Sequence, residues 1–108
     1  MLVKTGPDGY HSPAEGVKLK TLAYGEKTLM AEFRLKKGGV LPRHSHPHEQ
    51  TGYLISGRIR LYVNGQVYDC APGDSWCIAG GTEHGADVIE DALAIEVFSP
   101  VRKEYVPK

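Results

Sequence analysis

An all-β domain of short strands is the fold class this sequence predicts, and three observations predict it. Thirteen glycines and seven prolines among 108 residues divide the chain into short pieces, the punctuation of a β-sandwich or barrel. Between those breaks apolar residues recur at every second position, as at Leu29, Ala31, Phe33 and Leu35, which is the period of a half-buried strand. No stretch keeps a 3.6-residue period over the length of a helix, and there is neither an internal repeat nor a low-complexity tract.

In order along the chain, residues 1–16 read as a loop-rich N-terminal arm, with Gly6-Pro7-Asp8-Gly9 and Ser12-Pro13. Residues 17–108 read as one barrel domain. Val17 to Tyr24 alternates as a strand, Gly25-Glu26 turns, and Thr28 to Leu35 returns. Lys36-Lys37-Gly38-Gly39 turns into a histidine-rich stretch, after which Tyr53 to Ile55 and Arg58 to Val63 form strands around Ser56-Gly57. Asn64-Gly65 is the strongest two-residue hairpin signal. Gln66 to Cys70 follows, then the turn Ala71-Pro72-Gly73-Asp74, Ser75 to Ile78, Gly80-Gly81, Ala86 to Ile89 and Ala92 to Phe98. About nine or ten short strands are expected.

A chain of this length holds one core and buries roughly 65% of its unfolded surface. Thirteen basic and thirteen acidic residues cancel, so the basic stripe of a nucleic-acid binder is missing. No apolar run approaches a membrane span, and Met1 to Tyr10 lacks the apolar segment of a secretory signal. Cys70 and Cys77 lack CxxC spacing; both fall in expected strands and read as buried free thiols of a cytoplasmic protein.

The chemistry gathers at His44, His46, His48 and Gln50. On an extended strand His44 and His46 project from one face, and two imidazoles supply about half of a mononuclear transition-metal site. His84, beyond the hairpin, offers more of it. His48 and Glu49 read as peripheral and His11 as a surface residue.

These positions resemble the paired motifs of the cupin superfamily. The first motif, Gly-x5-His-x-His-x3-4-Glu-x6-Gly, is matched at Gly38, His44, His46 and Gly57, with Gln50 in the place of glutamate. The second is matched at Gly73, Gly81 and His84, with Ala79 for its proline and Val88 for its asparagine. The resemblance implies a double-stranded β-helix, or jelly-roll barrel. It also implies one divalent transition metal per chain, held by His44, His46, Gln50 and His84. Imidazole and amide ligands suit zinc, nickel, iron, manganese and copper alike. A wholly neutral ligand set leaves the metal's charge uncompensated and favours a small anionic substrate.

The segment from Glu96 through Phe98 to Arg102, followed by Lys103-Glu104-Tyr105, is similar to the ending of one subgroup of small cupins, as are the His-x-His-Pro-His-Glu-Gln run and Gly52-Tyr53. Members of that subgroup linearise 4,5-unsaturated monouronates. The resemblance implies active-site roles for Glu96 (an aspartate in the subgroup), Phe98 and Arg102. Read from the residues, Glu96 and Phe98 share a strand face, Glu96 suits acid–base work and Arg102 suits a carboxylate clamp. Arg58 and Arg60 are further candidates for that clamp, and Tyr53 and Trp76 for walls of the cavity or core. The expected reaction is a metal-assisted, non-redox ring-opening or tautomerisation of an unsaturated sugar acid. A metal-dependent dioxygenase and a non-catalytic ligand-binding module are the alternatives. A homodimer is expected, with the arm or the tail after Pro100 covering an edge of the second subunit.

Overall fold

A computed structural model describes residues 1–107. Within them the chain forms β1 (Tyr10–Ala14), β2 (Val17–Tyr24), β3 (Leu29–Leu35), β4 (Val40–His44), β5 (Glu49–Val63), β6 (Gln66–Cys70), β7 (Ser75–Ile78) and β8 (His84–Ser99), then a short 3-10 turn at Lys103–Tyr105. The strands join in the order β1-β2-β3-β8-β5-β6, with β4 added on β8 and β7 on β5. Every pairing is antiparallel.

The two long strands make the architecture. β5 pairs β7 through Gln50 to Tyr53 and β6 through Ile59 to Val63. β8 pairs β4 near Ala86 and Asp87, and β3 from Ala92 to Phe98. Each therefore runs through both faces of one sheet that folds back on itself, the jelly-roll arrangement. The alternation on β3 explains the enclosed side: Leu29, Ala31, Phe33 and Leu35 are buried, and they pack with Val17, Leu19, Leu54, Ile78, Ala94 and Phe98 in one core.

The strands are fewer and longer than the sequence predicts. Ser56-Gly57 interrupts the alternation without ending the strand, because the pairing with β8 shifts register between Leu54 and Ile59 and then resumes. Gly57 sits at φ +84°, and a Cβ there would collide with the Asp91 carbonyl, so glycine permits a bulge at which the ribbon bends. Glu90 and Asp91 likewise lie inside β8 rather than between two strands.

Residues 10–14, expected in a loop-rich arm, form the edge strand β1. An edge tolerates Pro13, which has no N–H to give, and Ser12 Oγ donates to the Val17 carbonyl at 2.7 Å. Lys20 Nζ, 2.7 Å from the Gly6 carbonyl, ties the preceding residues to β2. Both cysteines are free, but only Cys70 is buried. Trp76 and Ile78 take the inner face of β7, so the intervening Cys77 points outward. Among the described residues no helix is long and apolar enough to cross a membrane.

Candidate metal centre and the cup around it

His44 closes β4, His84 opens β8, and the two are Cα partners in the ladder. His46 lies just beyond β4, where Gly81 N–H donates to its carbonyl at 2.8 Å. The ring centroids stand 4.4 Å apart for His44 and His84 and 4.8 Å for His46 and His84. One nitrogen from each of the three rings lies within 4.8 Å of the others.

The outer nitrogens are already committed. His44 Nδ1 lies 2.8 Å from the Pro42 carbonyl, His46 Nδ1 3.0 Å from that of His48, and His84 Nδ1 2.8 Å from that of Thr82. A carbonyl only accepts, so each Nδ1 carries the hydrogen and each Nε2 keeps a free lone pair. This is the second-sphere pattern that orients metal-binding histidines. Burial lowers the pKa of His46 and His84, each also facing positive neighbours, and so favours the neutral rings a cation requires.

Gln50, buried on β5, stands beside this cluster with Oε1 2.8 Å from His46 Nε2. With His46 in the tautomer its neighbour sets, two electron-pair donors face each other at that distance. Adjacent ligands on bonds of about 2.1 Å stand about 3 Å apart. The three imidazoles could hold a metal ion, and the Gln50 amide oxygen stands beside them.

Gln50 Nε2 in turn donates to Glu96 Oε2, and Trp76 Nε1 donates to Glu96 Oε1 at 2.6 Å. Glu96 faces inward and is buried. Burial pushes its carboxyl pKa up to about 8, against the pull of the Trp76 and Gln50 hydrogen bonds and the Arg102 charge. Phe98, almost wholly enclosed, meets His46 edge-on at 5.9 Å. The Arg102 guanidinium lies 5.1 Å over the Phe98 ring and 4.3 Å over that of Tyr105, and it pairs with Glu104. A cavity of about 70 Å³ opens among Gln50, Trp76, Glu96, Phe98, Arg102 and Tyr105. A wider groove lies on the outside near Lys18, Arg34 and Asp91, away from the histidine cluster.

Strand parity corrects three expectations. Gln50, Gly52 and Leu54 point inward, which turns Tyr53 out, and it is 49% exposed. Beyond the Gly57 bulge Ile59 and Leu61 are the inward residues. Arg58 and Arg60 are therefore external; Arg60 meets Asp69 at 3.2 Å on the outer face. None of the three reaches the cup, whereas Trp76 does. His48 packs near His46, with ring centroids 5.4 Å apart, and Glu49 and His11 are exposed. Tyr105 is the cup residue that periodicity missed. It belongs to no strand, and what holds it is a distant contact, Thr21 Oγ1 donating to its carbonyl.

A two-faced β-barrel with three histidines converging inside one mouth defines a class of barrel equipped to bind a metal. A cupin domain model (Cupin_2) matches residues 31–99, and the chain belongs to that family. It is 24% identical over 94 residues to the pectin degradation protein KdgF of Dickeya dadantii (strain 3937), covering 85% of this chain and 86% of that one. The structure of KdgF from Halomonas sp. superposes with TM-score 0.86 at 28% identity, covering 90% of each chain. An RmlC-like cupin from Shewanella frigidimarina NCIMB 400 gives TM-score 0.86 at 26% identity, covering 90% of this chain and 87% of the other.

Proposed function

We propose that this cupin linearises a 4,5-unsaturated monouronate to a 4-deoxy-5-keto-uronate. One observation carries the reading: an inward, buried carboxyl, Glu96, lies one amide away from the three-histidine cluster. Similarity to two KdgF proteins, one of them named for pectin degradation, supports a uronate as substrate.

His44, His46, His84 and Gln50 would hold a divalent cation, which when bound supplies Lewis-acid polarisation of substrate oxygens. Arg102, lying over the rings of both Phe98 and Tyr105, offers its planar fork to the uronate carboxylate. Glu96 moves the proton. A carboxyl still protonated near neutrality gives its proton to C4 of the enol ether as the C4=C5 pair forms the new C–H bond. The carboxylate so formed takes the proton of the O1 hydroxyl; C1=O forms, the C1–O5 bond breaks, and its electron pair completes C5=O. Nothing is added or lost, and Glu96 ends as it began. A pKa close to working pH is what such two-way transfer needs.

The outer sheet face, where Met30, Tyr53 and Ile55 are 39–49% exposed, supports pairing with a second copy, and light scattering at working concentration tests the homodimer. The two free thiols suit a reducing cytoplasm. The reaction itself is tested by supplying an unsaturated monouronate to metal-loaded protein and following the loss of C=C absorbance. Loss without oxygen uptake is expected; an unchanged absorbance with every candidate metal restored overturns the proposal.

A further inference from the structure

Trp76, Gly52 and Glu96 occupy three adjacent strands at one level. Gly52 is the Cα partner of Trp76 on β7 and of Glu96 on β8. Side chains two strands apart in a sheet stand about 9–10 Å from each other at their bases and do not meet over an ordinary residue. Here the strand between them carries no side chain, and the indole N–H reaches across to Glu96 Oε1 at 2.6 Å. A Cβ on Gly52 would collide with both Trp76 Nε1 and Glu96 Oε1. The absence of a side chain at 52 is therefore what brings the pair together.

We propose that Trp76 is a positioning residue for Glu96, and that Gly52 is the gap through which it acts. The proposal rests on the reading of Glu96 as the proton-transferring group and goes beyond it, by naming what fixes the carboxyl's orientation. Trp76 Nε1–H engages Oε1, while Gln50 Nε2–H engages Oε2. With one donor on each oxygen, the carboxyl plane is held from two sides. The remaining lone pairs, one on each oxygen, are where the transferable proton can sit. Without the indole donor the buried carboxyl loses one anchor and rotates about its terminal bond, a broad, weakly restrained torsion.

The test uses a property of the sequence: Trp76 is the only tryptophan, so the full chain gives a single indole N–H resonance. In zinc-loaded protein that resonance is expected downfield and slow to exchange with water. Glu96→Ala moves it upfield and exposes it; Glu90→Gln, at an exposed position of the same strand, leaves it in place. Trp76→Phe keeps the ring volume and removes the donor. It is expected to lower kcat roughly ten- to hundred-fold, the cost of one hydrogen bond to an ionisable group, with KM within about two-fold and zinc content unchanged. Gly52→Ala should give the same kcat loss by separating the pair.

An indole resonance indifferent to Glu96→Ala overturns the pairing, whether or not the protein turns over a uronate. Full kcat in Trp76→Phe, or a rise in KM alone, overturns the positioning role while leaving the uronate reaction standing. A wild-type protein inert toward uronates whose indole resonance still follows Glu96 removes the reaction and keeps the pairing.

Discussion

Gln50 and Glu96 face each other across β5 and β8, and the amide of the first donates to the carboxyl of the second while turning its oxygen toward His46. An amide can do both because it carries an acceptor at one end and a donor at the other. A glutamate there would present oxygens to both sides and set two carboxylates against each other.

Gln50→Glu tests that division of labour. The added carboxylate cuts the uncompensated charge of a bound cation by one unit, so the variant is expected to bind zinc at least as tightly as the parent, by calorimetry. Turnover should fall ten-fold or more, because Glu96 loses a donor and gains a like charge that holds its proton more firmly. Weaker zinc binding in the variant would place Gln50 outside the ligand set.

Metal loading should depend on pH in a particular sense. His46 and His84 have pKa values lowered by burial, so protons compete with the cation only at pH below that of an ordinary histidine, about 6.5. Zinc occupancy is expected to hold at alkaline and neutral pH and to fall on acidification. His84→Ala should abolish it at every pH. Elemental analysis after dialysis reads both, and retained zinc in the alanine variant would move the centre elsewhere.

Glu96 predicts a pH dependence of stability in the metal-free protein. Its folded pKa, about 8, lies above the ordinary 4.5. Between those values the unfolded chain has released a proton that the folded chain keeps, so stability falls as pH rises, by at most about 1.4 kcal/mol per unit. Above the folded pKa the curve flattens. Glu96→Gln removes the slope, so the variant gains on the parent from pH 5 to pH 8 in urea titrations and has little or no turnover. Parallel pH curves for the two proteins would mean that Glu96 is ionised in the fold.

Arg102 should act on binding more than on chemistry. Its guanidinium is stacked on Phe98 and Tyr105, a geometry an ammonium cannot reproduce. Arg102→Lys keeps the charge and is nevertheless expected to raise KM for the uronate ten-fold or more, with kcat within a few-fold. A variant with unchanged KM would assign the substrate carboxylate to another group.

Much of this was legible in the residues themselves. Alternation marks β3 and the start of β2, and the resemblance to the paired motifs groups His44, His46, Gln50 and His84. Parity with an inward Gln50 already turns Tyr53 outward, but the direction of Arg58 and Arg60 was not legible, because a bulge at Gly57 resets parity and a bulge has no periodic signature. Nor was Tyr105, whose position depends on a hydrogen bond from Thr21, 84 residues away. The reach of Trp76 to Glu96 required the register of three strands at once. Local pattern gives which residues share a face; it does not give which strands lie side by side.

The bulge itself yields the sharpest stability test. Gly57 and Gly65 both have left-handed backbone, at φ +84° and +79°. A Cβ at Gly65 meets nothing within 4 Å, whereas one at Gly57 collides with the Asp91 carbonyl and with Ala92. Gly65→Ala should therefore cost only the torsional penalty, about 1–2 kcal/mol. Gly57→Ala adds the overpacking of two backbones that have no flexible side chain to yield, and should cost about 2–5 kcal/mol in total. Urea unfolding of the two variants reads the difference directly. Since Gln50 lies before this bulge on β5 and His84 pairs with Val63 beyond it, the Gly57 variant should also lose zinc affinity while the Gly65 variant keeps it. Equal losses of stability at the two sites would mean that torsion alone sets the cost and that the close passage of β5 over Asp91 is not required for the bend.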